Sequence, residues 1–425
     1  MSAPPIDIAI VGAGAAGLTA AIFAGEAAAG RGLRIVLLDG ARKPGAKILV
    51  SGGGRCNVTN ERVTPDDFWG GARGTIKKVL KSFDHRRTLE WMASLGVELK
   101  LEPTGKYFPA SDSARTVLGA LLRRAEEVGV ELRPGHRVGH IGREAGGGWS
   151  LGFRDGEHPP LSARRLILAT GGMSLPKSGS DGWGLAAARR LGHTITATTP
   201  ALAPLVLGPQ AGAGGRFADL SGLTLDVRLG VYEASGRRLE ERAGSLLFTH
   251  FGVSGPAALD LSRHLLQARE ADPRAELVVG LGHPHFPTPE AADGWLRDQA
   301  AAHPKRTLAN ALRAIYPERL ASALAEGRDG VLAELSKTTR RATATDIARL
   351  PLNVTGSRGY TFAETTAGGV DLSEIDPRTM ASRVAEGLYL CGEMLDVDGR
   401  IGGFNFQWAW ASGHLAGRGV VGESD

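Results

Sequence analysis

Ile6-Asp7-Ile8-Ala9-Ile10-Val11-Gly12-Ala13-Gly14-Ala15-Ala16-Gly17-Leu18 opens the decisive stretch, which runs on through Leu33–Leu38 to Asp39. A short apolar run that stops at a glycine reads as a buried strand, and the alanine-rich Leu18–Ala29 reads as a helix. Leu33–Leu38 is then the second strand of a right-handed, parallel βαβ unit. Gly12-x-Gly14-x-x-Gly17 sits at its turn. Gly12 permits the tight bend, Gly14 lets backbone N–H groups approach a pyrophosphate, and Gly17 lets the helix pack on the sheet. Ala15 and Ala16 open the helix, whose N-terminus brings partial positive charge to the phosphates. Asp39, at the end of the second strand, stands where a carboxylate accepts hydrogen bonds from ribose hydroxyls. A dinucleotide site is the reading.

Beyond this unit, 40–75 is loop-rich around Ser51-Gly52-Gly53-Gly54, and helical patterns follow at 76–95 and 114–128. Short strands are expected at 130–133, 136–143, 149–154 and 165–169, the last three as an antiparallel meander returning to the parallel sheet. A helix is expected at 182–191. The texture changes near Thr196, where 201–208, 223–234 and 244–249 alternate like antiparallel strands. Residues 286–349 carry helical periodicity, and the glycine-rich style resumes near 356. Gly387–Cys391 reads as a buried strand and Phe406–Gly417 as a helix. The organisation is a nucleotide-binding domain (1–195 and 356–425) interrupted by a β-rich module (196–285, with a return strand near 345–355) and a helical part (286–344).

Composition narrows the class. Of 425 residues 42% are hydrophobic and 22% charged, which is ordinary globular material. No apolar run reaches the roughly 18 residues of a membrane span, and the N-terminus reads without a signal-type segment. Two cysteines, Cys56 and Cys391, make neither a disulfide framework nor a zinc site, so a reducing cytoplasm is the expected setting. Sixty glycines, clustered in short motifs, announce tight turns. The net charge of +5 is spread over scattered arginine pairs such as Arg123-Arg124 and Arg340-Arg341, so no nucleic-acid partner is expected.

FAD and NAD share the first motif, and three later features favour FAD. Ala169-Thr170-Gly171-Gly172 follows the strand Leu166–Leu168, where a chain passes close to a cofactor. Gly387–Cys391 runs into Gly392-Glu393, an acid placed for a ribityl hydroxyl or the pyrophosphate. Gly402-Gly403-Phe404-Asn405 leads into a helix whose N-terminus would face the flavin N1–C2=O edge and stabilise the reduced anion.

Ser51-Gly52-Gly53-Gly54-Arg55-Cys56-Asn57-Val58-Thr59-Asn60 is very similar to the signature of a bacterial flavoprotein family that includes aminoacetone oxidase and flavin-dependent bile-acid reductases. Phe248–Pro256, Ala367-Gly368-Gly369-Val370 and Gly392–Gly399 running into Gly402–Ala409 resemble it too. The resemblance implies an α/β fold: a Rossmann-like FAD-binding domain interrupted by a β-barrel-like module and a small helical bundle. It also implies that Arg55, Asn57 and Asn60, with Cys56 among them, line the pyrophosphate and flavin side. By the same resemblance the Val138 backbone meets the adenine, Gly368 and Gly369 approach the isoalloxazine, and Asp396 belongs to the C-terminal cofactor segment. Asp39 replaces a commoner glutamate, and Cys391 a commoner alanine.

Plainer readings stand beside these. Cys56 lacks a resolving partner at short spacing and reads as packing. His250, in a loop that the resemblance places over the flavin, is either a substrate-facing acid or base or a residue that fixes its loop. His283-x-His285 has no third ligand, so no metal is expected. Gly179-x-x-Gly182-x-Gly184 reads as a helix start, and Trp408 and Trp410 as core.

The expected protein is an FAD-dependent oxidoreductase passing hydride between a small organic substrate and flavin N5. Either NADH or NADPH docks transiently as reductant, or the substrate reduces the flavin and dioxygen reoxidises it. A flavin-dependent RNA-modifying protein and a flavin sensor without turnover are the alternatives. Oligomeric state is open.

Overall fold

The computed structural model describes residues 6–154, 156, 158–208, 215, 217–282, 284–328 and 330–422. The chain forms two compact units, one of residues 1–199 with 363–425, the other of Pro200–Phe362.

In the first unit a sheet is built around Ile6–Val11, whose side chains are almost all buried. This strand pairs in parallel with Ile35–Leu38 on one side and with Leu161–Leu168 on the other. Glu131–Arg133 extends the sheet beyond Ile35–Leu38. The other edge of Leu161–Leu168 is shared. Its start pairs antiparallel with Trp149–Phe153, which pairs in turn with Val138–Arg143, and its end pairs in parallel with Leu388–Leu390. A strand made late in the chain is thus separated from the first by a single strand.

The first helix runs Ala15–Ala27, and the C-terminal helix runs Phe404–Val421. The expected helix over 76–95 is two, Arg73–Ser82 and His85–Ser94. The break is chemical: Asp84 accepts from the Arg87 N–H and caps the second helix.

The second unit holds a seven-stranded sheet. In path order its strands are Leu350–Leu352, Glu276–Gly280, Thr224–Tyr232, Arg238–Thr249, Gly252–Ser254, Leu205–Leu207 and Val354–Ser357. The two end strands are separated in sequence only by Asn353, so the sheet must curl round to bring its ends together. Helices Pro256–Ala271, Pro289–Ala302, Leu308–Leu312, Glu318–Ala325 and Lys337–Ala348 complete the unit. Strand residues Val227, Leu246 and Val279 share one apolar core with helix residues Leu261, Leu296, Leu308 and Ile347. The strand-rich and helical parts are therefore packed as one body. The helix Pro256–Ala271 has no counterpart in the sequence reading, although Pro256 follows Gly255 at the first helical position and Ala257, Ala258, Leu261 and Leu265 share a face.

Among the described residues, no helix is long and apolar enough to cross a membrane.

Candidate functional site

The glycine loop gives each of its glycines a separate duty. Gly12 has φ +105°, and a Cβ there would lie 2.4 Å from the Ala169 carbonyl oxygen. A Cβ on Gly17 would lie 1.8 Å from the Gly12 oxygen, so helix and loop touch there. A Cβ on Gly14 would meet nothing within 4 Å. The middle position is the one that faces open space, as a phosphate-approaching position requires. Gly14 caps the first helix without a side-chain acceptor, and no acid stands in the first turn. Its N–H groups and its partial positive charge are left for a ligand.

Asp39 is held by backbone donors. Its Oδ2 accepts from the Ala13 N–H and its Oδ1 from the Ala41 N–H, both at 2.7 Å. The carboxylate therefore ties the glycine loop to the end of the second strand. Each oxygen has a further lone pair for a ribose hydroxyl. Nearby, Gly40 lies under the Arg137 side chain, whose guanidinium pairs with Asp181 at 2.6 Å. Val138 is buried and begins its strand beside Arg137.

The signature Ser51–Asn60 folds as the sequence hints, through left-handed glycines. The helix Ala46–Gly54 loses helical geometry at Ser51, and Gly52, Gly53 and Gly54 have φ +55°, +69° and +86°. Cys56 follows at φ +64°, an unusual place for a side chain. It is fully buried, as is Cys391, and burial pushes both thiols up to about 12. Neither is a thiolate at neutral pH. We expect both to resist iodoacetamide at pH 8 in the native protein and to react on unfolding; rapid native alkylation of Cys56 would contradict this burial. Because the folded values lie above the free value of 9.0, the two thiols favour the folded state below pH 9, and this contribution is lost as pH rises toward 12.

Arg55, Asn57 and Asn60 were expected beside the cofactor, and the structure gives all three protein partners. The Arg55 guanidinium lies 2.6 Å from Glu102 and 3.6 Å from Asp112, with its carbon 4.0 Å above the Phe108 ring. Its charge is already met by two carboxylates. Asn60 donates to the Gly402 carbonyl at 3.1 Å. The Asn57 amide, oriented to satisfy both its ends, donates to the Thr59 and Tyr107 carbonyls and accepts from the Gly403 N–H. These asparagines fasten the N-terminal signature to the C-terminal glycines. Gly403 needs this closeness, since a Cβ there would lie 2.7 Å from Thr59. The fastening continues at Gln407, which accepts from Thr59 and Thr88 and donates to the Phe83 carbonyl, and at Trp410, which donates to Val58. Trp408 donates to Gly392, and both tryptophans are core.

Gly403 caps the C-terminal helix without a side-chain acceptor, and its first turn also lacks an acid. Asn405 turns back to bond both the N–H and the carbonyl of Gly399, and Phe404 packs edge-on to Phe68. The C-terminal helix lies against the first one through small residues. A Cβ on Gly413 would lie 2.6 Å from the Ala16 oxygen, and one on Gly417 would lie 2.4 Å from the Ala20 oxygen. The matched order 413 to 16 and 417 to 20 means the two helices point the same way. Phe404 precedes Gly413 by nine residues, about 13 Å of helix rise. Two bare helix N-termini therefore face the same end of the unit, staggered along it.

A polar cluster joins the remaining segments. Lys47 donates to Ser174 Oγ at 2.8 Å, Ser180 Oγ at 3.0 Å and Glu393 Oε2 at 2.5 Å. Glu393 Oε1 accepts from Ser174 at 2.6 Å and from Thr366 at 3.0 Å. A Cβ on Gly171 would press on Ser180, and one on Gly172 would press on Thr366. Gly392 packs on Ala16 at the start of the first helix. Glu393 is thus beside the glycine loop, but its oxygens are taken by protein donors. Lys47, Ser174, Ser180 and Thr366 escaped the sequence reading because nothing local marks them.

Thr170 packs on Gly184 at the start of the helix Trp183–Arg190, so Gly179–Gly184 is a helix entry. Gly368 and Gly369 lie against Ala197 and against Met394–Leu395, and Asp396 bonds the Val370 carbonyl through its own N–H. His250 is an exposed residue of the second unit, at the turn between Arg238–Thr249 and Gly252–Ser254. Within the turn the Gly252 N–H donates to Thr249 Oγ1 at 3.1 Å. His283 lies outside the described residues.

The family model described as "HI0933-like protein Rossmann domain" matches residues 6–419. The chain belongs to this family. It is an FAD-dependent oxidoreductase of the Rossmann-type α/β class. A 3-dehydro-bile acid delta(4,6)-reductase of Clostridium scindens is 34% identical, over 97% of this chain and 98% of that protein. A ribosomal RNA dihydrouridine synthase of Escherichia coli is 32% identical, over 96% of each. Among solved structures, 3-ketosteroid-delta4-(5alpha)-dehydrogenase of Rhodococcus jostii RHA1 superposes with a TM-score of 0.52 at 16% identity, covering 98% of this chain and 97% of that one. At that identity the last likeness concerns the fold of this HI0933-like chain.

Proposed function

We propose that this chain reduces a carbon–carbon double bond conjugated with a carbonyl, using FAD. The observation that carries the reading is the pair of bare, staggered helix N-termini, one at Gly14 and one at Gly403. Their offset suits an extended dinucleotide: diphosphate at the first, the pyrimidine edge of a reduced flavin at the second. Gly14 and the N–H groups after it would hold the diphosphate, and Asp39 the ribose. When bound, FAD supplies the two-electron step at N5. The protein's part is to orient the acceptor and to favour negative charge on the reduced ring through the Gly403–Phe404 backbone.

The two curated relatives support the substrate class. A delta(4,6)-reductase of a 3-dehydro bile acid and a dihydrouridine synthase both saturate a double bond beside a carbonyl, on unlike molecules. A small conjugated ketone is the first reading. A uracil ring in RNA is the second, favoured by the 32% identity to the Escherichia coli relative over 96% of each chain. The test is anaerobic. NADH or NADPH is added to the FAD-loaded protein, followed by 3-oxochol-4-enoate or by a uridine-containing ribosomal RNA transcript. Flavin reoxidation with a two-hydrogen mass gain on one acceptor is expected. A reduced flavin that both acceptors leave reduced while dioxygen consumes it would replace the reductase with an oxidase.

A further inference from the structure

We infer that Arg358, on the second unit, is the centre of a binding site for an oxyanion, a carboxylate or a phosphate. The side chain is half-buried, and its guanidinium carbon lies 3.4 Å from the centroid of Phe362 and 4.5 Å from that of Phe251. Its side-chain N–H groups have no hydrogen-bond acceptor and no carboxylate partner among the described residues; its backbone N–H bonds the Pro204 carbonyl. A guanidinium sheltered by two rings has given up part of its water without gaining an acceptor. The rings offer these donors no lone pair, so the donors stay available, and they match a carboxylate or a phosphate.

The fold builds this arrangement on purpose-made turns. The strand Leu205–Leu207 lies between Gly252–Ser254 and Val354–Ser357, which places Phe251 and Arg358 on its two flanks. Phe251 is fixed where its carbonyl accepts from Leu207. Gly359, at φ +67°, bonds Ser357 Oγ, and the Phe362 N–H closes on the Gly359 carbonyl, which folds Phe362 back over Arg358. Phe362 is 45% exposed, an unusual position for a phenylalanine that only packs. The exposed His250 ring stands edge-on to Phe251 and adds a second polar group without a hydrogen-bond partner among the described residues.

The inference stands apart from the proposed function, and its test is separable from that reading. Equilibrium dialysis with FAD-loaded protein would compare 3-oxochol-4-enoate with androst-4-ene-3,17-dione, which lacks the carboxylate, and with a short uridine-containing RNA. The wild type should hold one oxyanion probe at least about 10-fold more tightly than the neutral steroid, and Arg358→Met should erase that preference, in line with a charged hydrogen-bond pair. Arg358→Lys, which keeps charge but loses the planar fork, should fall between the two. Retained flavin colour and melting temperature verify that each variant is folded. An Arg358-dependent preference for the steroid acid assigns a carboxylate, and one for RNA assigns a phosphate. Equal affinity for charged and neutral steroid with no RNA binding, or full affinity in folded Arg358→Met, overturns the inference. Arg358-dependent binding without any double-bond reduction would keep the site and remove the proposed reaction.

Discussion

Gly14→Val should yield a folded, stable and colourless protein. Gly14 has φ −85° and ψ −167°, an extended conformation that valine adopts readily. Its Cβ would meet nothing within 4 Å, so the chain itself has no objection to a side chain there. The isopropyl group would instead occupy the approach to the bare N–H groups of the first helix. A loss of FAD affinity of about 100-fold or more is expected, with melting of the apoprotein shifted little. Gly17→Val is the contrast: its Cβ collides with the Gly12 oxygen at 1.8 Å, so helix and loop must separate and stability itself falls. Fluorescence titration with FAD and thermal melts of both apoproteins give the comparison. A yellow Gly14→Val protein with wild-type affinity would place the diphosphate elsewhere.

Lys47→Met has the second largest expected effect. The ammonium group offers three donors and uses them on Ser174, Ser180 and Glu393, which are mostly or wholly out of water. Removing it strands the Glu393 carboxylate, 18% exposed, with hydroxyl donors only. Breaking a fully buried pair costs about 3–5 kcal/mol; residual exposure brings the expectation here to about 2–4 kcal/mol. Glu393→Gln added to Lys47→Met should restore part of the loss, because the stranded charge is gone; a double-mutant cycle should give a coupling of about 1–3 kcal/mol. Since Gly392 packs on Ala16, we also expect about 10-fold weaker FAD binding in the single variant. Unchanged stability and affinity in Lys47→Met would reduce the cluster to decoration.

The sequence and the structure meet most closely where local chemistry is strong. The strand Ile6–Val11, the glycine loop and Asp39 were legible because turn, helix and terminal acid follow one another within one βαβ unit. The long-range partners were not. Lys47 and Glu393 are 346 positions apart, and neither carries a local mark of the other. Asn57 and Asn60 illustrate a subtler difference: their place near the cofactor segments follows from the resemblance, yet the structure spends their amides on Gly403 and Gly402. An amide that holds backbone in place and one that holds a ligand look alike in sequence. Arg358 was silent for the opposite reason: a single arginine among many says nothing until two rings are seen around it.

Trp410 donates its indole hydrogen to a carbonyl made 352 residues earlier. While the ribosome is still translating, the first strand and its loop wait without the helix that covers them, and the whole of the second unit emerges in between. A chain stopped before Phe404 would lack Gln407, Trp410, Gly413 and Gly417 together, and its first helix should be left with the Ala16–Ala20 face uncovered.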